Sequence, residues 1–159
     1  MHRALQGCFG GKGGQMAKID VPKTLDEWNA RGAAYLPGHL QMKFEEVGPM
    51  RVRARMSVRT PVLAWNGFLH AGSVVSLADT CCGYGTLAAV PKEADGFTTL
   101  DLTSNFLGTA LDGAVTCEAV PLHQGRTTQV WDARVANAAN DRTIAQFRCT
   151  QVILWPRGA

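Results

Sequence analysis

The residues able to do chemistry crowd into one stretch. Asn66-Gly-Phe-Leu-His70-Ala71-Gly72 is followed by Asp79, the sole charged side chain between Ala71 and Val90. If a helix begins at Ala71, its first amides lack intrahelical partners and carry a partial positive charge. The N–H groups of Ala71 and Gly72 are then suited to hold a developing oxyanion, and the small side chains leave room for a ligand. Asp79 falls two turns further on, on a face shared with Gly72, Val75, Ser76, Cys82 and Gly83. A carboxylate on an otherwise apolar helix costs several kcal/mol, of order 2–7 for an unpaired polar group, unless partners compensate. It serves either a structural hydrogen bond or a reaction as base or nucleophile. His70 reads equally as a helix cap or a satisfied core residue, and Asn66 as a loop-shaping side chain that bonds its own backbone. Cys81 and Cys82 lie beside the acid, but no histidine stands at helical spacing from either, so they read as small hydrophobes.

These residues need a helix that is uncharged almost throughout. By length alone the run resembles a membrane span of about 20 residues. Ser73, Ser76, Asp79, Thr80, Gly83 and Gly85 make it too polar, and a buried helix ending at Pro91 is the better assignment. Upstream, Thr24-Leu-Asp-Glu27 is a capping box that starts a short helix, predicted to reach Leu36 before Pro37-Gly38. The periodicity then becomes two. Leu40, Met42 and Phe44 alternate with Gln41, Lys43 and Glu45, a turn follows at Gly48-Pro49, and Met50, Val52, Ala54, Met56 and Val58 alternate with Arg51, Arg53, Arg55 and Ser57. The arginine stripe reads as a solvated face of a sheet covered on one side. After a loop over 60–69 and the long helix, four further strands are expected over about 97–107, 114–122, 126–137 and 143–154, with a hairpin loop at Asn137 to Asp141. An antiparallel sheet of five to six strands around one long central helix, an α+β fold, is the layout these elements imply. Such a sheet leaves edges exposed, so pairing between copies is expected.

The chain of 159 residues, 46% hydrophobic and 18% charged, is of a size for one domain over 16–159. Residues 1–15, with Gly7, Gly10, Gly11, Gly13 and Gly14, read as a flexible tail or as sequence ahead of a start at Met16, and lack the apolar core of a secretory signal. A net charge of +3 is too small and dispersed to argue for nucleic acid. Five cysteines without a metal-binding spacing fit reduced thiols in a cytoplasmic protein, and neither a metal site nor a membrane partner is expected.

Taken together, Asn66-x-x-x-His70-Ala-Gly72, Asp79, Thr99-Leu-Asp-Leu-Thr-Ser-Asn-Phe-Leu107 and Gly125-Arg126 resemble the hotdog-fold acyl-CoA thioesterases of the phenylacetate-pathway type, over roughly residues 35 to 154. The resemblance implies a sheet wrapped around the long helix, a homodimer or homotetramer, and an acyl-CoA bound between subunits. By position, Ala71 would supply the amide that polarises the thioester carbonyl, with Asn66 and His70 shaping the site. Asp79 of the other subunit would be general base or nucleophile, and Thr99 would position the water or the carboxylate. Arg126, following Gly125 after a turn, reads either as a contact to a CoA phosphate or as a residue solvating a strand end. No separate cofactor is implied, because coenzyme A is part of the substrate. Within one chain the two groups stand too far apart, since eight helical residues span about 12 Å.

Three positions depart from the family pattern. His-Gly-Gly is His70-Ala71-Gly72 here, no proline follows Asn105-Phe106-Leu107, and Gly83-Tyr84-Gly85 marks a bend or an acyl-pocket wall. Tyr84, Phe68, Trp65 and Met56 are candidates for lining an acyl pocket or for ordinary core. Two other functions fit the same residues: a 3-hydroxyacyl-thioester dehydratase or hydratase using His70 as base, and an acyl-CoA-binding protein without turnover.

Overall fold

The computed structural model describes residues 20–156, and the glycine-rich tail expected at 1–15 lies outside them. The first helix, α1 (Leu25–Gly32), has the capping box read from the sequence, with Thr24 Oγ1 accepting from the Glu27 N–H at 3.2 Å. It ends four residues earlier than predicted. A separate short turn, α2 (Leu36–His39), takes the Pro37-Gly38 segment, with proline near its start where a missing N–H costs nothing.

Six strands follow: β1 (Met42–Val47), β2 (Val52–Ser57), β3 (Gly96–Phe106), β4 (Ala114–Gln124), β5 (Thr128–Asn137) and β6 (Thr143–Leu154). They form one antiparallel sheet in the order β1-β2-β4-β5-β6-β3. The long helix α3 (Ala71–Ala89) is inserted between β2 and β3 and packs against every strand. Period-two alternation decides which side faces it. Val52, Ala54 and Met56 are buried while Arg53 and Arg55 point out, where Arg51, Arg53 and Arg55 pair with Glu46, Glu118 and Glu45. The stripe is therefore a charge-balanced outer face. Met50, expected to share the inner phase, is 64% exposed, because the turn ends before β2 begins.

The fit of helix to sheet explains the glycines beyond Asp79. Gly85 lies against the fully buried Trp131 of β5, and a Cβ there would collide with the indole ring; Gly83 likewise faces Phe97. These are close-approach positions inside a continuous helix, neither a bend nor part of the cleft described below. Tyr84 stacks on Phe44 at 4.5 Å and against Trp28 at 5.0 Å, which ties α1 to the sheet. Met56 is likewise core. Cys81, Cys82, Cys117 and Cys149 are free and buried between helix and sheet. Bonding to Cys117 and Cys149, with burial, pushes the Cys81 and Cys82 thiols well up, so neither is a nucleophile at neutral pH.

Candidate active site

The start of α3 is built by the segment before it. A single turn of 3-10 helix (Thr60–Val62) buries Val62, whose carbonyl accepts both the His70 N–H and the Ser73 hydroxyl at 3.0 Å. A bridge between Leu63 and Leu69 closes the intervening turn, in which Gly67 adopts φ 86. Asn66 sits at its tip and accepts the Phe68 N–H at 3.2 Å, so its side chain shapes the turn. His70 is the N-cap: Nδ1 accepts from the Gly72 N–H at 2.8 Å. That bond requires an unprotonated Nδ1 and leaves the ring proton on Nε2. It also changes the oxyanion expectation, because the Gly72 amide is already spoken for. The amide of Ala71 has no hydrogen-bond partner among the described residues and is exposed.

Beside this amide lies an open cleft of about 240 Å³, lined mainly by apolar surface from Phe68, Leu69, Ala71, Val74 and Phe106, with Thr109 at one side. Thr109 Oγ1 accepts from the Leu69 N–H at 3.2 Å and fixes that wall. Of the candidate acyl-pocket residues only Phe68 lines it; Trp65 is 99% exposed.

Asp79 is half-buried on the side of α3 that faces β3, the last strand of the sheet. Burial raises its pKa above the ordinary aspartate range, and a hydrogen bond from Thr99 acts in the opposite direction. Thr99 Oγ1 is 3.2 Å from Asp79 Oδ1 and 3.1 Å from Gln151 Oε1. Thr99 faces the helix in phase with Phe97, and a β-bulge just after it, between Thr99 and Asp101, shifts the register on β6; Leu100 and Leu102 are exposed. The structure thus joins Asp79 to Thr99, and Ala71 to His70 and Gly72, as two clusters on one helix. Arg126 belongs to neither; its guanidinium lies over the Trp155 ring, 4.7 Å from the centroid. Gln151 was not among the candidates, although the inward phase of β6 (Ala145, Phe147, Cys149, Gln151, Ile153) shows one polar side chain among apolar ones. Among the described residues no helix is long and apolar enough to cross a membrane.

The profile of the Thioesterase superfamily matches residues 66–144, from the start of the capping turn into β6. The chain is 30% identical over 134 residues to the 1,4-dihydroxy-2-naphthoyl-CoA hydrolase of Escherichia coli, covering 82% of this chain and 95% of that protein. A crystal structure of a thioesterase from Haemophilus influenzae superposes with a TM-score of 0.80 at 23% identity, covering 91% of this chain and all of that one, which establishes the hotdog fold. A hypothetical thioesterase from Streptococcus pneumoniae solved with coenzyme A superposes with a TM-score of 0.66 at 25% identity, covering 73% of this chain and 88% of that one. The chain belongs to the thioesterase superfamily and is a thioester hydrolase.

Proposed function

We propose that the substrate is an acyl-CoA, hydrolysed to the free acid and CoA in a site shared by two copies of the chain. The observation that carries this is the separation of two complementary groups: a free amide at Ala71 beside an apolar cleft, and a half-buried Asp79 directed at the open β3 edge. Eight helical residues separate them by about 12 Å, too far to act on one carbonyl. Two copies joined along β3 bring the helix start of one toward Asp79 of the other, in a homodimer or a homotetramer built from such dimers.

In this arrangement the Ala71 N–H donates a hydrogen bond to the thioester oxygen as negative charge develops on it, and the acyl group lies in the cleft beside Phe68, Leu69 and Phe106. Asp79 takes a proton from water as it attacks the carbonyl carbon, or attacks directly to give an anhydride that water then opens. The C–S bond breaks in either route: in the first Asp79 returns its proton to the leaving sulfur, and in the second CoA leaves as the thiolate and takes a proton from solvent. Thr99 holds the Asp79 carboxylate in one rotamer. The relatives' acyl-CoA chemistry supports the substrate class: one is a naphthoyl-CoA hydrolase and another holds coenzyme A. Arg126, exposed and stacked over Trp155, keeps its N–H edge free and is the residue offered to a CoA phosphate. A dehydratase using His70 as base draws no support from the cap, which occupies Nδ1 and leaves Nε2 protonated.

Thiol release from a panel of short, medium and aromatic acyl-CoAs, beside the same acyl groups on N-acetylcysteamine, tests the reading. Hydrolysis of at least one CoA thioester, with kcat/KM falling at least about tenfold when the nucleotide part is removed, is the expected result. Binding of acyl-CoA without thiol release across the panel would overturn it in favour of a non-catalytic binder.

A further inference from the structure

Gln151 is a fully buried glutamine on β6, directly across from Thr99 on β3 and Gln129 on β5. Gln129 is committed to the core, its Oε1 accepting the Trp131 indole N–H at 3.0 Å. Gln151 instead connects the core to the site. Its amide oxygen is 3.1 Å from Thr99 Oγ1 and its nitrogen 3.3 Å from Cys149 Sγ.

A proton count decides what this amide does. The Thr99 hydroxyl has one proton and two neighbouring acceptors, Asp79 Oδ1 and Gln151 Oε1. When Asp79 is ionised the carboxylate takes that proton, since a charged acceptor makes the stronger bond. Gln151 must then offer Nε2 to the Thr99 oxygen, and a half-turn of the amide achieves this in the same volume. The amide oxygen then faces Cys149. The Cys149 thiol, a weak donor at 3.3 Å from the Gln151 amide, can then turn its proton to that oxygen. The row from Cys149 through Gln151 and Thr99 to Asp79 then runs with each group donating toward the carboxylate.

We propose that Gln151 is a positioning residue, whose buried amide donates to the Thr99 oxygen and so turns the single Thr99 proton toward Asp79. The proposal rests on the reading of Asp79 as base or nucleophile. Without the amide, the Thr99 hydroxyl rotates freely about its C–O bond and the carboxylate loses its fixed orientation. Gln151 lies outside the cleft, so substrate binding does not depend on it.

The test is a double-mutant cycle on the best CoA thioester of the panel, with folding checked by circular dichroism. Gln151→Met keeps the side-chain length and removes the amide; Gln151→Asn keeps the amide but draws it back, and serves if the methionine variant fails to fold. Each is expected to lower kcat about tenfold with KM within about twofold of the native value. Thr99→Val is expected to cost a similar factor. Thr99→Val combined with the Gln151 change is expected to be no worse than Thr99→Val alone within about twofold, because one residue acts through the other. Native kcat in both Gln151 variants, or losses that multiply in the double variant, would overturn the proposal. Asp79→Asn run beside them separates the two readings: if it alone retained activity, the role of Asp79 would fall, whereas an inactive Asp79→Asn with native Gln151 variants would sink only the role of Gln151.

Discussion

The two edges of the sheet are finished in opposite ways. At β1 the edge is blocked: Asn29 of α1 donates from Nδ2 to the Phe44 carbonyl at 3.1 Å, and its Oδ1 accepts the Phe44 N–H at 2.9 Å. One side-chain amide thus imitates a neighbouring strand and occupies the positions a second chain would use. The exposed side chains there, Lys43 and Glu45, are charged. At β3 the described residues supply no such cover, and Leu100, Leu102 and Phe106 are each at least 41% exposed. Proteins that avoid edge pairing block or charge their edges, so the contrast marks β3 as the edge kept for a second copy. Asp79 and Thr99 lie beside β3, and the chemistry is placed where that copy would arrive.

The sharpest ways to break this contrast act on the two groups that the β3 edge is meant to unite. Ala71→Pro removes the free N–H, yet proline suits a first helical position and His70 already has the extended backbone (φ -67, ψ 134) that a residue before proline needs. It is expected to fold and to lose at least about 100-fold in kcat, read by thiol release. Asp79→Asn is expected to lose a similar factor, of order 100-fold or more. Next in size, Leu102→Lys places a charge on the open edge. It should shift the molecular mass by light scattering from dimer or tetramer toward monomer, and lower activity at least about tenfold at micromolar protein.

Smaller effects sharpen the other side of the comparison. Asn29→Ala opens the blocked edge and removes three hydrogen bonds, two to Phe44 and one to the Leu25 carbonyl. It is expected to cost about 1–2 kcal/mol and to lower Tm by roughly 2–8 °C, with kcat unchanged, in a thermal melt and a parallel assay. Smallest of all is the pH effect at Asp79. Its folded-state pKa is raised by burial, so the stability it contributes is present at low pH and lost as pH rises through the folded value. Asp79→Asn is therefore expected to be as stable as the native protein at acid pH and more stable at neutral pH. In the native enzyme the acid limb of kcat/KM should lie above the ordinary aspartate range, because the base is active only once deprotonated.

How much of this could be read from sequence follows from how local each signal is. The alternation in β2 depends on neighbours two residues apart, and the Thr24 capping box on three, so both were legible. Asp79 stood out because a lone charge on an apolar helix is conspicuous in any fold. The end of α1 at Gly32 was not legible, since Tyr84 and Pro37 crowd that glycine from elsewhere in the chain. The need for glycine at Gly85 comes from Trp131 of β5, and the Asn29 clamp from a strand 15 residues away. The Gly72 amide was assigned to the oxyanion because the helix start was visible while the orientation of the His70 ring was not. Gln151 was legible in principle, as a polar residue in the inward phase of β6, but its pairing with Thr99, 52 residues away, depends on a strand register that has no local sequence mark.

The most direct test of a site shared across β3 is complementation between two inactive variants. Ala71→Pro and Asp79→Asn protein are unfolded together, refolded as a mixture, and assayed against each refolded alone. Random pairing makes half of the dimers mixed, each with one site that combines a native Ala71 with a native Asp79, so activity is expected to return to about a quarter of the native level. A mixture that forms mixed dimers, verified by a tag on one variant, yet stays as inactive as its components would contradict the account.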